Sequence, residues 1–436
     1  MKKIAVVGSG ISGLAAAWLL SRRYRVTLYE AAPRLGGHAH TVEVALEGRR
    51  FPVDTGFLVF NHRTYPNLTA LFDTLGVEVT QSEMSFAVSL AEPALEWAGS
   101  SLATVFAQKR NLVRPQFWSM LQDILRFNRE SSRLAQAGAA TPWSLDEYLV
   151  RFGYGQPFRD WYLLPMAAAI WSCPTRQMLD YPLATFVRFC HNHGLLQIFD
   201  RPQWLTVRGG SQQYVARMAH ALPDVRLATP VLGVQRDRLG VTVRTLAGRE
   251  RFDQLILACH SDQALRLLGS AASAQEQALL GAIRYQPNRA LLHHDARLLP
   301  RGRAVWSAWN YSAGAGQPDG QPVSVSYLIN RLQPLPVRTP VVVSLNPHVE
   351  PRPDRLNAEF NYEHPIFDRA AIDAQRQLPA IQGRNHTWYC GAWSGYGFHE
   401  DGLNSALKVA EALGVRAPWR AADSAAAFVT DLKEAA

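Results

Sequence analysis

The chain has 436 residues, enough for two or three domains, and its composition (47% hydrophobic, 19% charged) is that of a soluble globular protein. The sequence contains no run of about 18 apolar residues, so it predicts no membrane-spanning helix. The apolar stretch at the N-terminus is interrupted by glycines, unlike the apolar stretch of a signal peptide. The net charge of +9 is spread along the chain without a nucleic-acid-binding module. We therefore expect no nucleic-acid partner, and either a solvated basic surface or a peripheral contact with anionic membrane.

The first thirty residues predict a strand, a glycine turn, a helix, a second strand and a terminal acid. In order these are Lys2–Val7, the turn Gly8-Ser9-Gly10-Ile11-Ser12-Gly13, Leu14–Leu20, Tyr24–Tyr29 and Glu30. This is the dinucleotide-binding βαβ pattern, in which three glycines allow the turn, the approach of a pyrophosphate and close helix packing. The helix N-terminus at Ile11 and Ser12 would face the phosphates. Glu30 would accept hydrogen bonds from ribose hydroxyls and disfavour NADP.

A second glycine pair follows in Arg34-Leu35-Gly36-Gly37-His38. It would let the backbone run along the far side of a pyrophosphate that Arg34 neutralises; the alternative is an ordinary β-turn with an exposed arginine. The segment resembles the glycine doublet of FAD-dependent amine oxidases and phytoene desaturases. Val53-Asp54-Thr55-Gly56-Phe57 resembles the segment that follows it there. The resemblance implies FAD, with His38, Asp54, Thr55 and Gly56 among its contacts.

The next hundred residues predict a hairpin broken at Gly48-Arg49-Arg50, a helix over 64–75 capped by Gly76, a strand over 85–90 and a helix from Pro115. That last helix has an apolar stripe, and basic residues flank its aromatic residues. It is either an interfacial helix that dips into lipid headgroups or an amphipathic helix packed on its own domain.

In the middle of the chain, Thr141–Tyr148 starts a helix, and the apolar stretch Trp161–Trp171 predicts a deep core or a substrate cavity. We expect a polar loop rather than a metal site at His191-Asn192-His193, and reduced thiols at the four widely spaced cysteines. A glycine turn at 209–210 enters a helix, and strands are predicted over 225–227, 231–234, 241–243 and 254–258. A strand-rich block over 283–347, including 305–309 and 323–327, predicts the sheet of a substrate domain.

Near the C-terminus, Thr387–Ala392 predicts a strand and a turn, and a helix is expected from about Gly402. Its positive end could face the flavin edge that becomes negative on reduction. Asp401 could hold the ribityl hydroxyls. By resemblance, Val231 lies near the adenine, and the remaining predicted contacts of FAD are Gly391, Ala392, Gly402, Leu403 and Ser405.

A closer resemblance covers most of the chain. Segments such as Phe57–Asn61, Met84–Leu90, Phe106–Lys109, Ile329–Gln333 and Gly395–Gly402 are similar to the flavin-binding N-terminal half of plant cyclopropane fatty acid synthases and to free-standing bacterial relatives. The resemblance implies a lipid or fatty-acyl substrate and, as a partner, a fatty-acyl methyltransferase. It also puts His38, His399 and Glu400, the candidate catalytic residues, near the flavin, although His38 stands where many amine oxidases carry arginine.

We thus predict an α/β protein: a discontinuous Rossmann-like FAD-binding domain of amine oxidase type (1–62, 205–272, 385–436) with an α+β substrate domain (63–204, helical; 273–384, sheet). It would remove hydride from carbon, oxidising or desaturating a methylated acyl chain, in the cytoplasm or at the inner face of the membrane. The alternatives are an amine oxidase, although 285–289 lacks the lysine that such enzymes commonly use, and a non-catalytic partner of a methyltransferase. Candidate substrate residues, each of which could equally be core, are Phe57, Asn61, Trp171, Trp393 and Tyr396.

Overall fold

The computed structural model describes residues 1–137, 141–195, 197, 201–315 and 323–420, so residues 421–436 of the predicted C-terminal FAD-binding segment lie outside the described residues. The strands are β1 (Lys3–Val7), β2 (Arg25–Tyr29), β3 (Thr41–Leu46), β4 (Arg49–Asp54), β5 (Val79–Ser82), β6 (Phe86–Leu90), β7 (Leu95–Ala98), β8 (Trp204–Val207), β9 (Val225–Arg226), β10 (Gly233–Asp237), β11 (Gly240–Thr245), β12 (Gly248–Phe252), β13 (Gln254–Leu257), β14 (Arg284–His293), β15 (Trp309–Ala313), β16 (Ser324–Leu328), β17 (Val342–Leu345), β18 (Leu356–Ile366) and β19 (Thr387–Tyr389). The α-helices are α1 (Ile11–Leu20), α2 (Pro66–Leu75), α3 (Leu102–Val105), α4 (Pro115–Gln136), α5 (Leu145–Arg151), α6 (Gln156–Phe158), α7 (Leu164–Trp171), α8 (Thr175–Leu179), α9 (Leu183–Asn192), α10 (Gln212–His220), α11 (Ser261–Leu268), α12 (Ala274–Gly281), α13 (Ile329–Leu332), α14 (Arg369–Gln377) and α15 (His399–Ala412).

A five-stranded parallel sheet forms one layer of the fold, in the order β19-β13-β1-β2-β9. Strand β1 is apolar because it is buried on both faces, with Val6 between Leu28 and Ile256 of its two neighbours. The carboxyl ends of parallel strands meet at one edge, where ligands of such sheets bind. Gly8, Glu30, Cys259 and Gly391, each just after a strand, therefore converge there. The predicted α/β class is confirmed.

Helices α1 and α15 pack against each other so closely that a Cβ on Gly402 would lie 2.8 Å from Cγ2 of Ile11. The prediction that the last helix begins near Gly402 is wrong, because α15 begins at His399. The backbone N–H of Phe398 donates to the Asp401 carboxylate at 3.0 Å, and this cap starts the helix three residues earlier.

A mixed seven-stranded sheet, in the order β18-β14-β17-β16-β15-β6-β7, stands beside the parallel sheet. Strands β6 and β7 lie within 63–204, which is predicted to be the helical part of the substrate domain. The domain boundaries stay a prediction. The predicted strand over 305–309 is wrong: 303–305 is a 3₁₀ turn and β15 begins at Trp309. Between the turn and the strand, the Asn310 side chain accepts the N–H of Ser307 and donates to its carbonyl, and so holds residues 307–310 in a bend.

Helices α4 to α9 pack on one another, and α7 contacts strand β15 of the seven-stranded sheet. Helix α4 begins at Pro115 as predicted, and Ser144 and Glu147 form a reciprocal cap at the start of α5. The predicted polar loop at 191–193 is wrong, because His191 and Asn192 complete α9. The predicted hairpin is confirmed as β3 and β4, joined at Glu47 and Gly48. None of the described helices is both long and apolar enough to cross a bilayer.

Candidate active site

One large cavity opens where the parallel strands end and extends between the seven-stranded sheet and helices α4 and α7. Its volume of about 1890 Å³ exceeds the roughly 300–1,000 Å³ of small-ligand pockets. It therefore has room for a dinucleotide and a second ligand. The predicted site residues that line it are Gly8, Gly10, Ile11, Ser12, Glu30, Gly36, Gly37, His38, Thr55, Gly56, Phe57, Trp171, Val231, Gly391, Ala392, Trp393, Tyr396 and His399.

The first glycine turn has the geometry of a phosphate cradle. Gly8 has a φ of +101°, and a Cβ on it would lie 2.9 Å from the carbonyl oxygen of Ala258. A Cβ on Gly13 would lie 1.8 Å from the carbonyl oxygen of Gly8, so only glycine allows this helix to pack on its strand. By contrast, a Cβ on Gly10 would have no atom within 4 Å. Gly10 thus faces open space at the N-terminus of α1.

The second glycine pair packs directly against the first turn. Gly36 and Gly37 have φ values of +105° and +59°, and the N–H of Gly36 donates to the carbonyl of Ser9 at 3.0 Å. Arg34 does not line the cavity: its guanidinium donates to the carbonyl of Gly37 at 2.8 Å and so holds the loop. Arg34 thus has no place in the cavity lining, and its neutralisation of a pyrophosphate stays a prediction.

Glu30 occupies the position expected of a ribose-binding acid. Its carboxylate accepts hydrogen bonds from the N–H and hydroxyl of Ser9, at 2.9 and 2.6 Å, and from the N–H of Ala32 at 2.8 Å. These bonds fix the carboxylate at the cavity wall, and a carboxylate has about four lone-pair positions. It can therefore still accept a bond from a ligand hydroxyl.

Asp54 lies outside the cavity lining, contrary to its prediction as an FAD contact. It is buried behind the lining, where its carboxylate accepts bonds from Thr41, Ser211 and Gln333. Burial raises the pKa of Asp54 to about 6 although these hydrogen bonds oppose the shift. Asp54 thus joins the hairpin β3–β4 to the N-terminus of α10.

Glu400 and Asn61 also lie outside the lining, and both stabilise the start of α2. The Glu400 carboxylate accepts the N–H groups of Asn67 and Leu68, at 3.1 and 2.9 Å. Asn61 Oδ1 accepts the N–H of Thr64 at 2.9 Å. Helix N-termini leave N–H groups without partners, and the Glu400 carboxylate satisfies two of them in α2. Asn61 holds the turn that leads into the helix. Neither a catalytic role for Glu400 nor a substrate contact for Asn61 is supported by this arrangement.

The predicted contacts on α15 lie behind the cavity wall rather than on it. Asp401 caps its own helix, and burial raises its pKa to about 7 against the effect of its backbone hydrogen bonds. Ser405 Oγ accepts the N–H of Gly391 at 2.9 Å and so fixes the turn that does line the cavity. Gly402, Leu403 and Gly13 are likewise packing residues.

Five histidines line the cavity: His38, His193, His260, His364 and His399. The rings of His38 and His364 are 5.3 Å apart. Burial lowers the pKa of each, to about 4 for His193 and His364 and about 3 for His399, so the imidazoles are neutral near pH 7. Within the described part of the chain no group of side chains could hold a metal ion.

His38 and His399 differ in their partners. His399 Nε2 is 3.1 Å from the hydroxyl of Tyr214, and its ring stacks on Phe57 at 3.8 Å. His38 Nε2 is buried and has no hydrogen-bond partner. The sequence interpretation missed His260 and His364. His260 follows the end of β13, and that position on a parallel strand was a signal that could have found it.

A long apolar arm of the cavity leads away from the glycine turns. Sequence reasoning missed most of its aromatic walls, because they come from strands and helices of different segments; they include Phe86, Trp97, Trp118, Trp309 and Tyr327. Tyr162, which also lines the arm, belongs to the stretch Trp161–Trp171 that is predicted as core or cavity. Of the predicted stripe of α4, Leu121, Ile124 and Leu125 line this arm, while Phe117 and Phe127 are core. The indole N–H groups of Trp171 and Trp309 are buried without partners.

The family model described as flavin containing amine oxidoreductase matches residues 11–289. This chain belongs to that family. Two curated relatives are 27% identical: a putative flavin-containing monoamine oxidase of Mycobacterium tuberculosis (58% of this chain, 56% of the relative) and (S)-6-hydroxynicotine oxidase of Paenarthrobacter nicotinovorans (55% and 56%). A carotenoid phi-ring synthase of Chlorobaculum tepidum is 28% identical over 37% of this chain and 23% of its own length. The chain thus spans at most about half the length of these relatives.

Solved structures share the fold of this amine oxidoreductase family member. One is a CLA-producing fatty acid isomerase from P. acnes, with a TM-score of 0.67 and 15% identity over 95% of this chain and 99% of that one. Another is a putative protoporphyrinogen oxidase from Exiguobacterium, with a TM-score of 0.66 and 18% identity over 94% of this chain and 98% of that one. At these identities the likeness concerns the fold alone.

FAD is the cofactor of the family, and the residues present fit it. The open space at Gly10, the N-terminus of α1 and the carboxylate of Glu30 form a cradle for a pyrophosphate and a ribose. Gly37, Thr55 and Val231 continue its wall, and Ala392 and His399 bound the region beyond. The sequence prediction of FAD is confirmed. Bound there, FAD supplies an acceptor for hydride.

Proposed function

We propose that this FAD-dependent oxidoreductase desaturates a lipid acyl chain by removing hydride from one of its carbons. The observation that supports this most is the apolar arm, which joins the glycine cradle to the protein surface within one cavity. Its aromatic and aliphatic walls suit a long hydrocarbon, since burial of each methylene group contributes about 0.8 kcal/mol.

The chain's own residues would enclose and orient the reacting carbon. The walls of the arm exclude water, which keeps the reduced state from side reactions. Loss of a hydride and of a proton from neighbouring carbons leaves a double bond, and dioxygen or another electron acceptor takes the electron pair. An allylic carbon is the more reactive site. His38 lines the cavity and has a buried ring nitrogen without a hydrogen-bond partner, so it is the candidate to accept the proton.

Resemblance supports a lipid substrate as well. Segments such as Gly395–Gly402 are similar to the flavin-binding half of cyclopropane fatty acid synthases, and a fatty-acyl methyltransferase is the partner that we propose on this basis. A CLA-producing fatty acid isomerase and a carotenoid phi-ring synthase are precedents for apolar ligands among similar proteins.

Oxidation of a small amine is the second candidate, because two of the relatives are amine oxidases. Among the described residues, however, no lysine lines the cavity, and by resemblance amine oxidases commonly place one near the flavin. A long apolar arm is also larger than a small amine needs.

Mass spectrometry of membrane lipids tests the proposal. Cells that produce the protein should accumulate acyl chains lacking two hydrogens, compared with cells that produce the Gly10→Val variant, which we expect to lack FAD. Unchanged lipids, together with flavin reduction by an amine, would establish the amine oxidase instead. Unchanged lipids, together with a flavin that neither lipid nor amine reduces, would leave the role of a non-catalytic partner.

A further inference from the structure

We propose that the surface formed by Leu102, Leu112, Val113, Trp118 and Leu125, with Lys109, Arg110 and Arg129 around it, docks onto an anionic phospholipid bilayer and admits the acyl chain. This surface is called the docking surface below. The inference rests on the proposed function, for which it names the route and the source of the substrate.

The docking surface concentrates exposed apolar side chains in a short segment. Leu102 and Val113 are 79% and 83% exposed, and Leu112, Trp118 and Leu125 are also exposed. Scattered apolar residues on a surface need no explanation, but a contiguous group marks an interaction site. Trp118 donates its indole N–H to the carbonyl of Leu112 at 2.9 Å, which links helix α4 to the turn before it.

Three residues of the docking surface belong to the cavity as well. Leu102, Trp118 and Leu125 are exposed and at the same time line the apolar arm, so they form its mouth. On α4, Trp118 and Leu125 are two turns apart on one face, with Leu121 between them deeper in the arm. An acyl chain could therefore pass from a bilayer into the cavity without crossing water.

The charge around the mouth favours an anionic partner. Residues 101–137 contain six basic side chains and two acidic ones, Asp123 and Glu130. Both acids are used inside the protein: Asp123 accepts the N–H of Gly155 at 2.9 Å, and Glu130 accepts the hydroxyls of Tyr148 and Tyr154. Among the described residues, Lys109, Arg110 and Arg129 form no ion pair with an acid. Their charge is available to lipid phosphates.

A bilayer fits these observations better than a protein partner. Leucine, valine and tryptophan beside lysine and arginine is the composition of a surface that lies in the headgroup region of a membrane. The same surface is continuous with a cavity that suits a hydrocarbon chain. A protein partner over the mouth would instead close the route of the substrate.

Vesicle binding of the full-length, FAD-loaded protein tests the inference. The wild type should float with vesicles of phosphatidylcholine and phosphatidylglycerol, and less with phosphatidylcholine alone. Val113→Asp should weaken this binding by about tenfold or more, since valine burial contributes about that factor. Leu246→Asp is the matched control, because Leu246 is 84% exposed in the turn between β11 and β12, away from the mouth. The control should bind as the wild type does.

Three results would overturn the docking surface: no binding of the wild type to either vesicle, equal loss in both variants, or a change of oligomeric state in Val113→Asp without loss of vesicle binding. The last would indicate a contact between copies of the chain. Flavin reduction by acyl lipid dispersed in detergent is measured separately. If the flavin is reduced but the protein does not bind vesicles, the docking surface is wrong and the proposed function stands. If the protein binds vesicles but the flavin is not reduced, the docking surface stands and the proposed function is wrong.

Discussion

Gly10 and Gly13 stand in the same turn, but their hydrogens face different surroundings. A side chain at Gly13 would collide with the backbone of Gly8, whereas one at Gly10 would project into open space. Gly13 is thus required by the fold and Gly10 by the ligand. Sequence spacing alone predicted both roles, because the turn is local and each glycine's task follows from its position in it.

Gly10→Val should therefore leave the fold intact and abolish FAD binding, because the methyl groups would fill the space at the helix N-terminus. The measurement is flavin absorbance per polypeptide beside the thermal unfolding temperature. Gly281→Val is the control, since Gly281 is exposed and a Cβ there makes only an ordinary contact at 3.7 Å. A Gly10→Val protein that purifies fully yellow would show that the cradle is misidentified.

Local pattern failed where a side chain serves another element. Asp54 and Glu400 are predicted near the ligand because they belong to segments that reach it. In the structure their carboxylates instead accept N–H and hydroxyl groups of other elements behind the wall. Asp401 differs from them, because it caps its own helix. Nothing in the sequence distinguishes an acid that faces a cavity from one that caps a helix, since the choice depends on a helix or loop distant in the chain.

Glu400 provides a test at this scale, because it caps α2 from another helix. Glu400→Ala should lower the free energy of unfolding by about 1–2 kcal/mol through the loss of the cap. Glu400→Gln, which keeps one acceptor oxygen, should recover part of it. The rate of flavin reduction should equal that of the wild type in both variants. A large loss of that rate with unchanged stability would restore Glu400 as a catalytic residue.

The pair of Arg236 and Glu276 joins β10, α12 and β19 inside the protein. Arg236 donates to both carboxylate oxygens, at 2.6 and 2.8 Å, and the hydroxyl of Tyr389 donates at 2.6 Å. Burial would raise the pKa of Glu276, but these bonds outweigh it and lower the pKa to about 2. The carboxylate is therefore charged in the folded protein well below the ordinary pKa of a glutamate.

Arg236→Met should destabilise the protein by about 3–5 kcal/mol, because it leaves a buried carboxylate without its counter-charge. Replacing both partners, Arg236→Met with Glu276→Leu, should recover most of this loss, since no uncompensated charge remains. Denaturant unfolding measures both. If the free energy of unfolding of Arg236→Met lies within about 1 kcal/mol of the wild-type value, the pair contributes little to stability.

For the whole molecule, buried neutral imidazoles predict sensitivity to acid. In β14, His293 Nδ1 accepts the N–H of Asp295 at 3.1 Å, so its Nε2 carries the proton toward Ser344. Burial lowers the pKa of His293 to about 4, although Asp295 opposes the shift. Its contribution to stability is present above the ordinary pKa of about 6.5 and is lost as the pH falls toward 4.

His293→Gln should therefore make the fall of stability between pH 6.5 and 4 shallower, by up to about 1.4 kcal/mol per pH unit. The measurement is the free energy of unfolding at a series of pH values. An unchanged slope would mean that His293 takes up its proton without unfolding the sheet.

The strands of both large sheets come from distant parts of the chain, and this limits what sequence alone predicts for the whole molecule. The glycine cradle was predictable because one local βαβ unit builds it. The apolar arm was not, because Trp97, Trp118 and Trp309 meet there only through β7, α4 and β15.

The central claim is that FAD and an acyl chain share one cavity. Its most direct test is the absorbance of the protein-bound flavin under anaerobic conditions after mixing with phospholipid or with small amines. We predict that the oxidised flavin spectrum bleaches with a phospholipid that carries methylated or unsaturated acyl chains and stays unchanged with amines. A protein that bleaches only with an amine would contradict the account.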